Sequence, residues 1–391
     1  MLVLGAGTMG TQIAMQAADV GLEVGLFDLM PQRAFDLQDQ LHALYPNASL
    51  TVHSELKDIS SVSYGLVVET IVEQLAAKRC LLAEVETLVS SETLLATNTS
   101  TIPLIQLTEE MQDTERLVGM HFLLPVLDRE LIEVVMGSES QMAWVRQACH
   151  WCQRLQKLPL VVKDEIGFLV NRLLNAVLAR SIELWANGIS PREIDIAALE
   201  FGLGFGPFIA MDHIGLETVV RAGAGFWQKF PGRPRPSPIL PALLKQKRLG
   251  RKSLQGIYDY QQTAPVDSTR EAQLEFLART PNLPWGVPEE VVEIWSRYHD
   301  NAFRDVPRQE LQSCLWTTLV MEAIAVCDEG YVDDPRAVDA AWIFGLGIAR
   351  DPGGPFEWAR RPQNVDEFSW DPAAGIAERK KRLLELAAIA S

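Results

Sequence analysis

Apolar positions along this chain follow two rhythms. In roughly the first 160 residues, short apolar runs alternate with amphipathic stretches. The opening "MLVLGAGTMGTQIAMQAADVGLEVGLFD" reads as strand, glycine turn, helix, strand. Leu2 to Leu4 are a short apolar run. Ile13, Ala14, Ala17 and Ala18 then recur at helical spacing, and Gly21 stops that helix. "LEVGLFD" is a second strand closing on Asp28. Further runs return at "YGLVVETIV" (64–72), "TLLATNTS" (93–100), "RLVGMHFLLPV" (116–126) and "LIEVVMG" (131–137), with a helix predicted through "EQLAAKRCLLAEVETLVSS" (73–91). Strands alternating with helices predict an α/β fold with a doubly wound, Rossmann-type parallel sheet.

Beyond "GFLVNRLL" the rhythm is helical throughout, which predicts an all-α region. "NRLLNAVLARSIELWANG" has apolar spacings of three and four and stops at Gly188, and "SPREIDIAALEFGLG" opens with a Ser cap and Pro in the first turn. A related unit returns near the end. "SIELWANGISPREIDIAALEFGLGFGPF" (181–208) is similar to "EAIAVCDEGYVDDPRAVDAAWIFGLGIARDPGGPF" (322–356), each with a helix ending in Gly, a Pro-initiated helix, F-G-L-G and later G-P-F. The second copy lacks the "NR" pair and carries no visible catalytic residue. The expected organisation is a nucleotide-binding domain over 1–164, a first helical domain over 165–262, a connection over 263–300 and a second helical repeat over 301–391.

Composition narrows the function classes. The 391 residues are 48% hydrophobic and 22% charged, enough for two or three domains with cores. A net charge of −16 and a pI near 4.9 disfavour nucleic acid and anionic membrane surfaces as partners. The five cysteines are odd in number, so a disulfide framework is not expected. Cys149 and Cys152 stand three positions apart in a lone "CHWC", which reads as one turn of an ordinary helix, and no second pair completes a zinc site. No apolar run approaches the ~18 residues of a membrane helix. The first residues lack a basic region and a full apolar stretch, so no secretory signal is read and the cytoplasm is the expected location. Met1 begins almost inside the first strand, which points to a natural start a little upstream.

The glycine turn carries the first chemistry. Gly5, Gly7 and Gly10, with Thr8 and Met9 between them, spell G-x-G-x-x-G. The first glycine permits the tight turn, the second lets backbone approach a pyrophosphate, and the third lets helix and strand pack closely. The helix start adds N–H donors and the positive end of a dipole. Asp28, 23 residues after Gly5, is placed to accept from both hydroxyls of an adenosine ribose. A 2′-phosphate would meet like charge there, so NAD is expected rather than NADP. In such sheets ligands sit at the carboxyl ends of the strands, and Glu69, Glu73, Asn98, Ser100 and His121 fall at or near such ends. His121, alone in "LVGMHFLLPV", reads more readily as a hydrogen-bonded core residue than as a base; its neighbours must decide.

At these residues the chain resembles the L-3-hydroxyacyl-CoA dehydrogenases of fatty-acid β-oxidation. The motifs are "GAGTMG", "VVETIVEQLAAK", "ATNTSTIPL", "GMHFLLPV…LIEVV", "KDEIGFLVNRLL", "FGLGFGPFIAMDHIGL" and "PSPILPALLKQKRLGRKSLQGIYDY", in the family's order from residue 1 to about 260. The resemblance implies that His121 is the general base that takes the 3-hydroxyl proton while hydride leaves for NAD. It implies that Glu133, twelve positions on, hydrogen-bonds the other ring nitrogen and stabilises the imidazolium. Ser100 and Asn171 are implied to bond the substrate oxygen or the base. Glu73, Lys78 and Asn98 are implied to contact the nicotinamide-side ribose and phosphate. Histidine also suits the task by its ordinary pKa.

Two departures from the family stand out. Leu124 occupies a position where the family usually has Asn ("HFLLP" here). Between Asp28 and Glu69 the family usually carries a longer helical arm that helps cradle CoA, and this span has room for one short helix. A replacement is suggested by residues 229–252, with no acid and eight bases: Lys229, Arg233, Arg235, Lys245, Lys247, Arg248, Arg251 and Lys252. CoA is a polyanion that such a patch would attract. Two helical repeats resemble the dehydrogenase part of the multifunctional β-oxidation α-subunits, without a hydratase half. A second repeat standing in for a dimer partner implies a monomer or weak homo-oligomer, and the family context makes a thiolase a candidate partner. The expected reaction is NAD-dependent oxidation of an L-3-hydroxyacyl-CoA. Its rivals are a dehydrogenase of a hydroxy acid without CoA, and an inactive NAD-binding scaffold.

Overall fold

The computed structural model describes all residues except 232–236, 262–268, 280–283, 300–302, 350–352, 371–378 and 391. Two compact units divide the chain, Met1–Phe168 and Leu169–Ser391.

In the first unit the elements are β1 (Leu2–Leu4), α1 (Thr8–Asp19), β2 (Val24–Phe27), α2 (Pro31–Leu44), β3 (Leu50–His53), β4 (Leu66–Glu69), α3 (Leu75–Leu88), β5 (Leu94–Thr97), the single turn α4 (Leu104–Leu107), β6 (Leu117–Phe122), β7 (Leu131–Met136), α5 (Met142–Arg154) and β8 (Leu158–Lys163). The eight strands form one sheet in the order β3-β2-β1-β4-β5-β6-β7-β8. Strands β1, β2, β4, β5 and β6 are buried at every residue. That is why they read as unbroken apolar runs rather than alternations. Edge strand β8 alternates buried and exposed positions instead. Helix α1 turns Ile13, Ala14, Ala17 and Ala18 into the core, where they meet Val3, Leu26, Val68 and Ala96.

The sheet is not parallel throughout. β7 runs antiparallel to β6, with His121 opposite Glu133, and β8 is parallel to β7. Only residues 123–130 join β6 to β7. A parallel return needs a crossover of about a dozen residues, so this chain must reverse. The span after Asp28 is also richer than the one short helix expected: α2 has 14 residues, and β3 and a 3-10 turn at Leu56–Ser61 follow it. Helix α5 contains Cys149 and Cys152 as the sequence suggested, and burial pushes both thiols up.

The second unit contains α6 (Val170–Ala186), α7 (Pro191–Phe201), α8 (Pro207–Ile214), α9 (Leu216–Lys229), α10 (Ile239–Lys245), α11 (Arg270–Ala278), α12 (Glu289–Ser296), α13 (Arg308–Asp328), α14 (Arg336–Ala340), α15 (Pro355–Ala359), α16 (Pro362–Glu367) and α17 (Lys380–Ile389). Two of these, α11 and α12, lie within the connection 263–300. A buried carboxylate anchors each of the two segments that resemble one another in sequence. Asp195 accepts from the backbone N–H groups of Phe208 (2.8 Å) and Ile209 (3.1 Å) at the start of α8, and from the Tyr258 hydroxyl (2.9 Å). Asp339 accepts from Phe356 and Glu357, both at 3.0 Å, at the start of α15. A Cβ on Gly206 would meet Asp195, and one on Gly354 would meet Asp339, each within 3 Å. The G-P-F of each segment is therefore a helix start folded onto an aspartate. Just beyond the second F-G-L-G, Ala349 N–H donates to the Gly202 carbonyl of the first at 2.8 Å. Arg172 in the first turn of α6 is fully buried, paired with Glu322 (2.6 Å) and Glu329 (2.8 Å).

Replacing Asp195 with Ala strands two backbone donors and one hydroxyl, each worth about 1–3 kcal/mol when buried without a partner. Asp195→Ala should lower unfolding free energy by about 3 kcal/mol or more in urea titration, and Asp339→Ala, which strands two donors, by less. A loss under about 1 kcal/mol for Asp195→Ala would show that the anchor is dispensable.

Candidate active site

The glycine turn sits at the carboxyl end of β1. Gly5 has φ +102°, closed to most L residues, and its N–H bonds Phe27 carbonyl at 2.8 Å. A Cβ on Gly10 would lie 1.8 Å from the Gly5 carbonyl, so the third glycine is needed for contact between turn and helix. Gly7 differs: a Cβ there would meet nothing within 4 Å. It lies at the N-terminus of α1, which has no side-chain cap. The space beside Gly7, Thr8 and Met9 and the uncapped N–H groups fit a pyrophosphate. Asp28 turns one oxygen to Ala6 N–H and the other to Met30 N–H, both at 2.8 Å. Each carboxylate oxygen keeps a further lone pair for a ribose hydroxyl. Leu29 is 82% exposed and Met30 56%. Apolar surface left open directly after Asp28 suits a flat heterocycle. The sequence reading passed over this pair, although two large apolar residues in a loop after a strand-end acid were visible.

A buried polar network occupies the ends of β4 and β5. Glu69 is fully buried and grips the Lys78 ammonium through both oxygens, at 2.7 and 2.9 Å. It also accepts from Thr97 hydroxyl (2.6 Å) and Ile71 N–H (2.7 Å). Lys78 is 1% exposed, donates to the Ile71 carbonyl at 3.4 Å and lies 3.3 Å from Glu73. It is therefore covered, with its ammonium enclosed by Glu69, Glu73 and the Ile71 carbonyl. Glu73 accepts from Thr99 hydroxyl (2.5 Å), Thr101 hydroxyl (2.8 Å) and Ser100 N–H (3.3 Å). Burial pushes its pKa up, but the hydroxyl bonds and the Lys78 charge outweigh that and hold it below the ordinary value. Thr97, Thr99 and Thr101 were missed in the sequence; a threonine gives no local sign that it will bond a carboxylate 26 to 28 residues away.

Asn98 joins this network to the histidine strand. Its side-chain oxygen accepts from Phe122 N–H at 2.8 Å. One residue earlier, His121 directs Nδ1 at Glu133 Oε2, 2.7 Å. Both side chains are buried, Glu133 completely. With Nδ1 facing a carboxylate, Nε2 is the ring nitrogen able to accept a proton. The Phe168 ring stands edge-on to the imidazole, centroids 5.3 Å apart at 62°. The following loop is pinned by Gln12, which accepts from Val126 N–H (2.7 Å), and by Lys157, which donates to Val126 carbonyl (2.8 Å). Leu124 on that loop is half exposed. Ser100 is half-buried just beyond β5. Asn171 is a half-buried residue of the first turn of α6, in the second unit. Several bases of the basic stretch are engaged, while Lys245 and Lys247 are exposed. Arg248 is buried, donating to Gly256 and Tyr258 carbonyls and pairing with Glu290. Lys252 pairs with Glu217, Arg251 contacts His213, and Arg233 and Arg235 lie outside the described residues. Arg248 is spent on holding its own chain, so a CoA site built on it is withdrawn.

Comparison with known proteins adds an independent finding. Residues 1–165 match the family model for the 3-hydroxyacyl-CoA dehydrogenase NAD binding domain, and residues 167–260 the model for its C-terminal domain. A 3-hydroxybutyryl-CoA dehydrogenase from Escherichia coli K12 superposes with a TM-score of 0.75 at 21% identity, covering 99% of this chain and 98% of that one. The dehydrogenase part of multifunctional enzyme 1 from C. elegans gives 0.62 at 23%, covering 99% and 85%. At those identities both speak to fold alone, and they extend the likeness through the last helices. An (S)-3-hydroxybutyryl-CoA dehydrogenase, PaaH1 from Ralstonia eutropha, gives 0.61 at 26%, covering 67% of this chain and 98% of that one.

The open space at Gly7 yields a direct test. Gly7→Ala puts a methyl into the space expected for the pyrophosphate without meeting protein, so melting temperature should stay within a few degrees while NADH affinity, read by fluorescence titration, falls by about tenfold or more. Unchanged affinity would remove the dinucleotide from this turn.

Proposed function

The chain belongs to the 3-hydroxyacyl-CoA dehydrogenase family, and from that premise we propose how its own residues carry out NAD-dependent oxidation of an L-3-hydroxyacyl-CoA to the 3-oxoacyl-CoA. His121 Nε2 takes the proton of the 3-hydroxyl. Glu133 accepts from Nδ1–H, sets the tautomer and stabilises the imidazolium as it forms. Ser100 and Asn171 hydrogen-bond the substrate oxygen or the base and set the line of hydride departure. Gly5, Gly7, Thr8, Met9, Gly10 and Asp28 hold the adenosine and pyrophosphate. Glu73 and Asn98, with Lys78 behind them, hold the nicotinamide-side ribose. Bound NAD supplies the hydride acceptor.

The observation that carries this reading is the 2.7 Å His121–Glu133 bond near the carboxyl end of β6. A core histidine could be satisfied by any backbone carbonyl. Here a fully buried carboxylate is set against it, an expensive arrangement that matches the need to stabilise a transient positive ring. The same family premise leads us to assign the reaction to fatty-acid β-oxidation in the cytoplasm, with the chain acting as a monomer or weak homo-oligomer and a thiolase as the candidate partner. Leu124 supports a second reading, a hydroxy acid without CoA, because an apolar side chain stands where the family usually has a polar one.

One assay separates these. NADH oxidation at 340 nm is followed with acetoacetyl-CoA and with free acetoacetate, for the wild type and His121→Ala. Turnover of the thioester alone, with His121→Ala slower by ~10²–10⁴, is expected. Turnover of the free acid alone would replace the first reading by the second. NADH binding with no turnover of either would favour an inactive scaffold.

A further inference from the structure

Directly after β8, the chain does something unusual. Gly167 has φ +72° and Phe168 φ +49°, two successive residues in the left-handed region. Glycine takes that conformation freely. A bulky aromatic residue does not, because its Cβ crowds the backbone. The Phe168 N–H closes the turn onto Glu165 carbonyl at 2.9 Å. The result is a phenyl ring that is 2% exposed and stands at 5.3 Å and 62° against the ring of His121. A glycine or asparagine would suit this backbone better, so something other than local conformation favours the ring.

The geometry around His121 indicates what that is. The bond from Nδ1 to Glu133 holds one ring nitrogen, and the ring can still tilt by small turns about its Cα–Cβ and Cβ–Cγ bonds. Rotation of that kind would swing Nε2 away from a fixed substrate hydroxyl. The Phe168 ring, set edge-on against the imidazole at 62°, blocks that movement. We infer that Phe168 is a positioning residue for the reaction: its ring, held in place by the strained Gly167–Phe168 turn, locks the plane of His121 so that Nε2 points along one line. This rests on His121 being the base. Phe168 itself has no group that can move a proton, so it acts only through the histidine.

The test is a double-mutant cycle on His121 and Phe168, with kcat for acetoacetyl-CoA reduction, KM for NADH and melting temperature measured for each variant. Phe168→Leu keeps bulk and loses the plane; Phe168→Tyr keeps the plane. The expected result is a loss of about tenfold or more in kcat for Phe168→Leu, KM for NADH changed by less than about twofold, and Phe168→Tyr within about threefold of wild type. In a His121→Ala background, Phe168→Leu should cost nothing further, because the ring it would misplace is absent. If Phe168→Leu lowers kcat equally in both backgrounds, or Phe168→Tyr is as slow as Phe168→Leu, Phe168 serves the fold and the inference is overturned. If His121→Ala alone keeps wild-type kcat, it is the assignment of the base that fails, a result recognisable before the second mutation is added. Should Phe168→Leu not fold, Phe168→Met carries the same comparison with a side chain closer in volume.

Discussion

The pairing of β6 with β7 is the constraint on which the reading of this site depends. Antiparallel register sets His121 directly opposite Glu133, and side chains so placed share one face of the sheet. The register is not free to slip. Every residue of β6 is buried, and a one-residue shift would exchange the sets of side chains on the two faces. Glu133 would then lose the histidine opposite it. Gln12 from α1 and Lys157 before β8 tie down the connecting loop at Val126 from two sides. The short loop that forces the strand to reverse is therefore also what brings acid and base together.

A second buried ionic assembly does comparable work on the nucleotide side. Glu69 and Lys78, both almost inaccessible, are joined with Thr97, Ile71 N–H and Glu73. Burying such a pair costs desolvation that its own attraction barely offsets, so net stability is a poor account of why it is there. What it provides is direction. Glu73 is held at once by Lys78, Thr99 and Thr101, which fixes its carboxylate in one orientation. Asn98 then transmits that order to the histidine strand through Phe122 N–H. The two assemblies are one continuous polar framework at the carboxyl ends of the strands.

The helical unit uses the same device without exposing it. Asp195, Asp212 and Asp339 are buried carboxylates whose partners are backbone N–H groups and tyrosine hydroxyls. Arg248, which from charge alone looked like a handle for CoA, is another such tie, locking 248 to 256–258. Charge counts along a chain cannot separate a buried tie from a solvated patch, because burial depends on what folds over the residue.

Much of this protein was legible in its residues. The glycine spacing with Asp28, the unbroken apolar runs and the helical rhythm after 170 each report a local physical demand: a turn that only glycine allows, strands buried on both faces, one apolar stripe per helix. These determined the nucleotide-binding α/β unit, the helical unit and the choice of NAD. The candidate base and its acid were named through resemblance, and their contact came only with the register of two strands. Edge strands β3 and β8, whose patterns are mixed because one side meets water, went unread, as did the reversal at β7. Tertiary structure alone decided that three threonines serve two glutamates, that Lys78 is covered, that Arg248 is spent internally, and that Phe168 lies against His121. Those facts depend on distances between residues far apart in the chain, and sequence periodicity carries no record of such distances.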